Sequence, residues 1–121
     1  SQAKHVLFLV DACYGGIATI GSRGLDEDTT PNYIEKITGN SARQIISAGG
    51  RGEKVLEKAE WGHSAFTLNL ARGLKNKTAD LNGDGYITGT ELGLFLSEKV
   101  TIDSESQQTP QFGRLDSQEG E

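Results

Sequence analysis

The chain has 121 residues, with 16 glycines, two prolines, one cysteine and no methionine; hydrophobic residues make up 35% and charged residues 24%. With its glycines counted, this is the composition of one globular domain and not of a collagen-like or disordered chain. A net charge of −5, with only the mixed Arg51 to Lys58 stretch as a basic cluster, argues against nucleic acid as a partner; the lone cysteine excludes an internal disulfide and any multi-cysteine metal cluster.

The longest unbroken apolar run, Val6 to Val10, is far short of the ~20 residues of a membrane helix, so no membrane association is expected for this segment. No signal peptide opens the chain. It begins at Ser1, just before a predicted strand, and this suggests a piece of a longer protein.

In chain order, His5 to Ala12 is a continuous apolar run and predicts a strand buried on both faces, as in a parallel sheet covered by helices. Gly21 to Asn40 is polar, carries Asp26-Glu27-Asp28 and Pro31, and predicts a long loop with a short helical turn at Tyr33 to Ile37. Ala42 to Ala48 predicts a second strand, stopped by Gly49-Gly50. Ser64 to Lys75 has Phe66, Leu70 and Leu74 at helical spacing, with Leu68 and Ala71 beside them and Lys75 and Lys77 suited to the carboxyl end of the dipole. A second helix starts near Thr90 and carries Leu92, Phe95, Leu96 and Val100. The tail from Thr101 is polar apart from a Thr-Pro-Gln-Phe island. Strand, loop, strand, helix, helix is an α/β order.

Cys13 stands at the carboxyl end of the most apolar strand, where open α/β sheets collect ligands and chemistry. A thiol there can attack a carbonyl, with backbone N–H groups of the following Tyr14-Gly15-Gly16 turn available to an oxyanion. It is equally consistent with a small buried hydrophobe. Side chains at i and i+2 on a strand share a face, so Asp11 is expected to point the same way as Cys13. It is a poor base, because a carboxylate opposes ionisation of a neighbouring thiol. It would instead select a cationic substrate side chain, or serve as a turn or helix cap.

Val10-Asp11-Ala12-Cys13-Tyr14-Gly15-Gly16 resembles the nucleophile motif of caspase-like cysteine peptidases, in the branch of metacaspases and bacterial orthocaspases. Caspases carry Gln-Ala-Cys-Arg-Gly-like strings; here Asp11 replaces the glutamine. The likeness extends through Arg43 to Gly50, Gly52-Glu53 and Gly62-His63-Ser64-Ala65-Phe66-Thr67, ending near Gln108-Thr109-Pro110-Gln111. The resemblance implies that residues 1–121 are the carboxyl-terminal part of a three-layer α/β/α peptidase domain. It implies Cys13 as catalytic nucleophile, Asp11 as the substrate-binding residue of a pocket for Arg or Lys, and a protein or peptide substrate with a basic P1 residue.

Such a peptidase needs a histidine to take the thiol proton and return it to the leaving amine. His5 lies eight residues before Cys13 on one strand, about 26 Å away, and is too far. His63 opens the first long helix, where packing or hydrogen bonding is the more economical role. The caspase pattern puts its base roughly 50 residues upstream of the cysteine, whereas twelve residues precede Cys13. The expectation is a nucleophile whose base belongs to an upstream segment, and a chain inactive by itself.

Asp80-Leu81-Asn82-Gly83-Asp84-Gly85-Tyr86-Ile87-Thr88-Gly89-Thr90-Glu91 matches the EF-hand loop. Asp80, Asn82 and Asp84 would bind Ca2+ through side-chain oxygens, Tyr86 through its carbonyl, Thr88 at the position often served by water, and Glu91 bidentately. Gly85 permits the sharp turn and Ile87 packs inward. The plainer alternative is an Asx-Gly turn with a Thr88–Glu91 capping box, and both can hold together.

Arg23-Gly24 is a conceivable self-cleavage point, and Trp61 a subsite wall or a packing residue. Glu53 has no assigned chemistry, and Asn76-Lys77-Thr78 is a glycosylation sequon by pattern. Two rivals to a peptidase stand: a calcium-binding regulatory or scaffolding module with an inert cysteine, and an α/β ligand-binding domain. Against the second, no G-x-G-x-x-G or Walker pattern follows the strand.

Overall fold

The computed structural model describes residues 2–13, 33–50, 53, 58, 62–116 and 120–121. The elements are β1 (His5–Cys13), α1 (Tyr33–Gly39), β2 (Ala42–Gly49), α2 (Ala65–Lys75), α3 (Gly89–Asp103) and β3 (Gln111–Arg114). They form a small mixed α/β domain around a three-stranded sheet ordered β1-β2-β3. β1 runs parallel to β2, with His5 opposite Ala42 and Val10 opposite Ser47. β3 runs antiparallel to β2, with Gln44 opposite Arg114 and Ser47 opposite Gln111. The third strand was not expected in the polar tail: it comes from the Thr109-Pro110-Gln111-Phe112 island, whose single large apolar residue is enough once β2 supplies the ladder.

β2 is the central strand and α2 and α3 supply the other wall of the core. Ile46 and Ala48 pack with Ala65 and Phe66 of α2, Leu92, Phe95, Leu96 and Val100 of α3, and Ala79 between the helices. Leu70, Ile87 and Phe112 close its margin. The spacing of the α3 residues places them on one stripe, as the sequence predicts. In α2 the buried line runs through Ala65, Phe66, Asn69 and Gly73, the last packed close to Phe95 of α3, and the expected face is corrected at its end: Leu74 lies off that line and is exposed. α3 crosses β3 closely at Gly93, where an added Cβ would lie 2.5 Å from Phe112 Cγ.

β1 corrects the expectation of burial on both faces. It is an edge strand, and Leu7, Phe8 and Leu9 are 38%, 48% and 41% exposed. Continuous hydrophobicity forecasts cover on both sides of a strand; here, among the described residues, Val6 and Val10 are half-buried while Leu7, Phe8 and Leu9 stay exposed. Its amino-terminal end is fastened instead by polar contacts: Ala42 N–H donates to Lys4 O at 2.9 Å, and the Arg43 guanidinium donates to the carbonyls of Lys4 and Ala3.

At the far end of the sheet, Arg114 donates to Gly120 O at 2.7 Å and pairs with Glu121 at 3.2 Å. The same Glu121 carboxylate accepts from Gln44 Nε2, Thr90 Oγ1 and Thr90 N–H, so it ties the first turn of α3 to β2 and β3. A carboxylate is well matched to a helix amino terminus, whose free N–H groups and dipole both favour negative charge.

Candidate functional site

Cys13 is the last residue of β1 and lies opposite Gly49 at the carboxyl end of β2. Between the pairs Val10–Ser47 and Cys13–Gly49, two residues of β1, Asp11 and Ala12, stand against one of β2, Ala48, so β1 contains a bulge there. Bulges add a residue, break strict alternation and re-aim side chains, and they are frequent beside functional sites. The shared-face argument for Asp11 and Cys13 assumed a regular strand and does not carry through this stretch. The side chain of Cys13 lies outside the described residues, as do Tyr14, Gly15, Gly16, Arg23, Gly24 and Trp61.

Asp11 is exposed and is held by α2. Its Oδ2 accepts from Ser64 Oγ and from Thr67 Oγ1, each at 2.6 Å. Ser64 is the N-cap of α2, with extended backbone, and its hydroxyl accepts from Thr67 N–H at 3.1 Å. The Ser-x-x-Thr spacing thus sets two hydroxyls in one helical turn, and β1 brings Asp11 against them. In the sequence, Ser64 and Thr67 stand out only as parts of the string Gly62-His63-Ser64-Ala65-Phe66-Thr67. An N-cap serine followed three residues later by a second hydroxyl was the available signal, but the partner 53 positions away was not.

The two histidines separate. His5 stands at the start of β1, at the opposite end of the strand from Cys13, with Nε2 3.2 Å from Thr38 O. His63 directly precedes the Ser64 that bonds Asp11, so its turn lies near the carboxyl end of β1. Its side chain is exposed, and no hydrogen bond joins it to another described residue.

Glu53, left without a role by sequence, clamps two segments close to this strand end. Its Oε1 accepts from Gly50 N–H and, at 2.9 Å, from Thr109 N–H. Beside it the buried Gln108 donates to Ala48 O at 2.7 Å. The segment after β2 and the segment before β3 are therefore fixed to each other.

The acidic loop is a second, separate constellation. Asp80, Asp84 and Glu91 each bring one carboxylate oxygen within 4.8 Å of the others. Backbone donors already hold them in that form: Asp80 accepts from Asp84 and Gly85 N–H, and Asp84 from Tyr86 N–H. Asn82 Oδ1 accepts from Asp84 N–H at 3.3 Å. Gly85 has a φ of +87°, the left-handed backbone that the loop's sixth position demands. Ile87 packs against the core as expected.

Glu91 is buried, and Oε2 accepts from Leu81 N–H at 2.7 Å while Oε1 accepts from Thr88 N–H at 3.2 Å. Thr88 is the N-cap of α3 and its hydroxyl accepts from Glu91 N–H, so the capping box is formed. That employs the Thr88 hydroxyl within the helix start. Tyr86 is exposed and can offer only its carbonyl to the loop interior. The donor set is entirely oxygen, which fits a hard divalent cation and not a thiophilic or imidazole-seeking one.

Searches against protein-family models, curated proteins and solved structures found no match to this chain.

Proposed function

We propose that the chain carries the nucleophile part of a cysteine-type endopeptidase of caspase-like architecture, cleaving after Arg or Lys. The observation that supports it best is Asp11, fixed by two neutral hydroxyls two residues before a cysteine at the carboxyl end of a parallel strand. Neutral donors orient the carboxylate without cancelling its charge, so an ionised Asp11 would attract a guanidinium or ammonium group.

In this scheme the Cys13 thiolate attacks the scissile carbonyl, and the C–N bond breaks as the amine leaves with a proton from the base. Water then hydrolyses the thioester, releasing the acid and restoring the thiol. The base is assigned to a segment upstream of these 121 residues. The three-layer sandwich would pair further strands with the free edge of β1 and lay helices over the faces that carry Leu7, Phe8 and Leu9.

Full-length protein should hydrolyse Arg- and Lys-aminomethylcoumarin peptides, and Cys13→Ala should abolish turnover. The 121-residue chain alone should be inactive. Turnover by that chain, lost in His63→Ala, would overturn the assignment of the base; full activity of Cys13→Ala would overturn the peptidase.

A calcium-binding regulatory or scaffolding module is the second reading, favoured by the convergence of Asp80, Asp84 and Glu91. Asn82 and the Tyr86 carbonyl complete the donor set, and the cation would supply only a structural clamp between α2 and α3. Calorimetric titration should show calcium binding that Glu91→Gln weakens at least tenfold, since Glu supplies two oxygens to such a site. Identical flat traces for both proteins would eliminate it.

A further inference from the structure

Among the described residues, Asp11 is held from one side. Both hydroxyls donate to Oδ2, and Oδ1 has no hydrogen-bond partner among the described residues. Ser64 has no freedom in how it bonds: its oxygen receives the Thr67 N–H as helix cap, so its single proton is the one directed at Asp11. Thr67 lies one helical turn further on and donates to the same oxygen. An exposed aspartate without such contacts would sample several rotamers; two donors on one oxygen select one of them and keep the other oxygen free.

We infer that Ser64 and Thr67 are positioning residues for substrate selection. They fix Asp11 so that Oδ1 is the acceptor presented to the cationic side chain of a basic P1 residue. This rests on the proposed basic-residue pocket. Their contribution is to binding of the charged group and not to the chemistry at the thiol, so it falls on KM and on discrimination between charged and neutral side chains.

The test compares full-length protein with Asp11→Asn, Thr67→Val and Thr67→Ser on paired peptides ending in Arg or citrulline, which match in shape and differ in charge. Thr67→Val keeps the volume and leaves the Ser64 cap in place. It is expected to lower the Arg-to-citrulline ratio of kcat/KM about tenfold, mainly through KM, as removal of one hydrogen bond to a charged group does. Thr67→Ser is expected to restore the ratio, a rescue that a purely structural threonine would not need from a hydroxyl. If Asp11→Asn destroys the Arg preference and Thr67→Val leaves it intact, the positioning role is wrong and the pocket stands. If Asp11→Asn retains the preference, or neither peptide is turned over, the pocket itself is wrong and the inference falls with it.

Discussion

β1 and β2 are neighbours, paired in parallel along most of their length, and β1 is the more apolar of the two, yet β2 is the one that is buried. In β2 Ile46 is 1% exposed and Ala48 is fully buried, whereas Phe8, directly opposite Ile45 in the ladder, is 48% exposed. Residue type alone would order them the other way. β2 has a strand on each side and two helices packed over its inner face, while β1 has one strand and, among the described residues, touches the helices through polar contacts at its ends, His5 with Thr38 and Asp11 with Ser64 and Thr67. Burial is a property of neighbours, and an apolar run announces only what a strand would gain if neighbours were supplied.

The contrast is open to direct measurement by urea unfolding of the 121-residue chain. Phe66→Ala, under the sheet in the core of α2, should cost about 3–5 kcal/mol. Gly93→Ala should cost about 1–3 kcal/mol, because the Phe112 ring must move to admit the methyl group. Thr88→Ala removes the N-cap of α3 and half of its capping box, at about 1 kcal/mol. Phe8→Ser should change stability by no more than about 0.5 kcal/mol, as for other exposed positions. A Phe8→Ser cost equal to that of Phe66→Ala would mean that β1 is covered in solution, and the distinction between the two strands would collapse.

Local signals in the sequence were reliable where the structure depends on local chemistry. The bounds of β2, the stripe of α3, the inward Ile87 and the Thr88–Glu91 capping box all follow from spacing and side-chain type within a dozen residues. The features that escaped depend on distant partners. β3 is a strand because β2 accepts it, not because Gln111 to Arg114 is apolar. The bulge before Cys13 shows only in the register with β2, and so the face assigned to Asp11 by alternation was not safe. The hydroxyls on Asp11 and the Thr109 amide on Glu53 are contacts across more than 50 positions, and no periodicity encodes them.

The Glu53 clamp has a dynamic consequence. One carboxylate oxygen serves two amides, at Gly50 and at Thr109, and Glu53 N–H returns a bond of 3.3 Å to Gly50 O. Releasing that side chain unlocks both amides in a single event, although one follows β2 and the other precedes β3. Their hydrogen-exchange rates should therefore rise and fall together under mild denaturant, as members of one cooperative opening unit. Two strand ends far apart in the chain would then share one clock, set beside the residue on which the proposed chemistry depends.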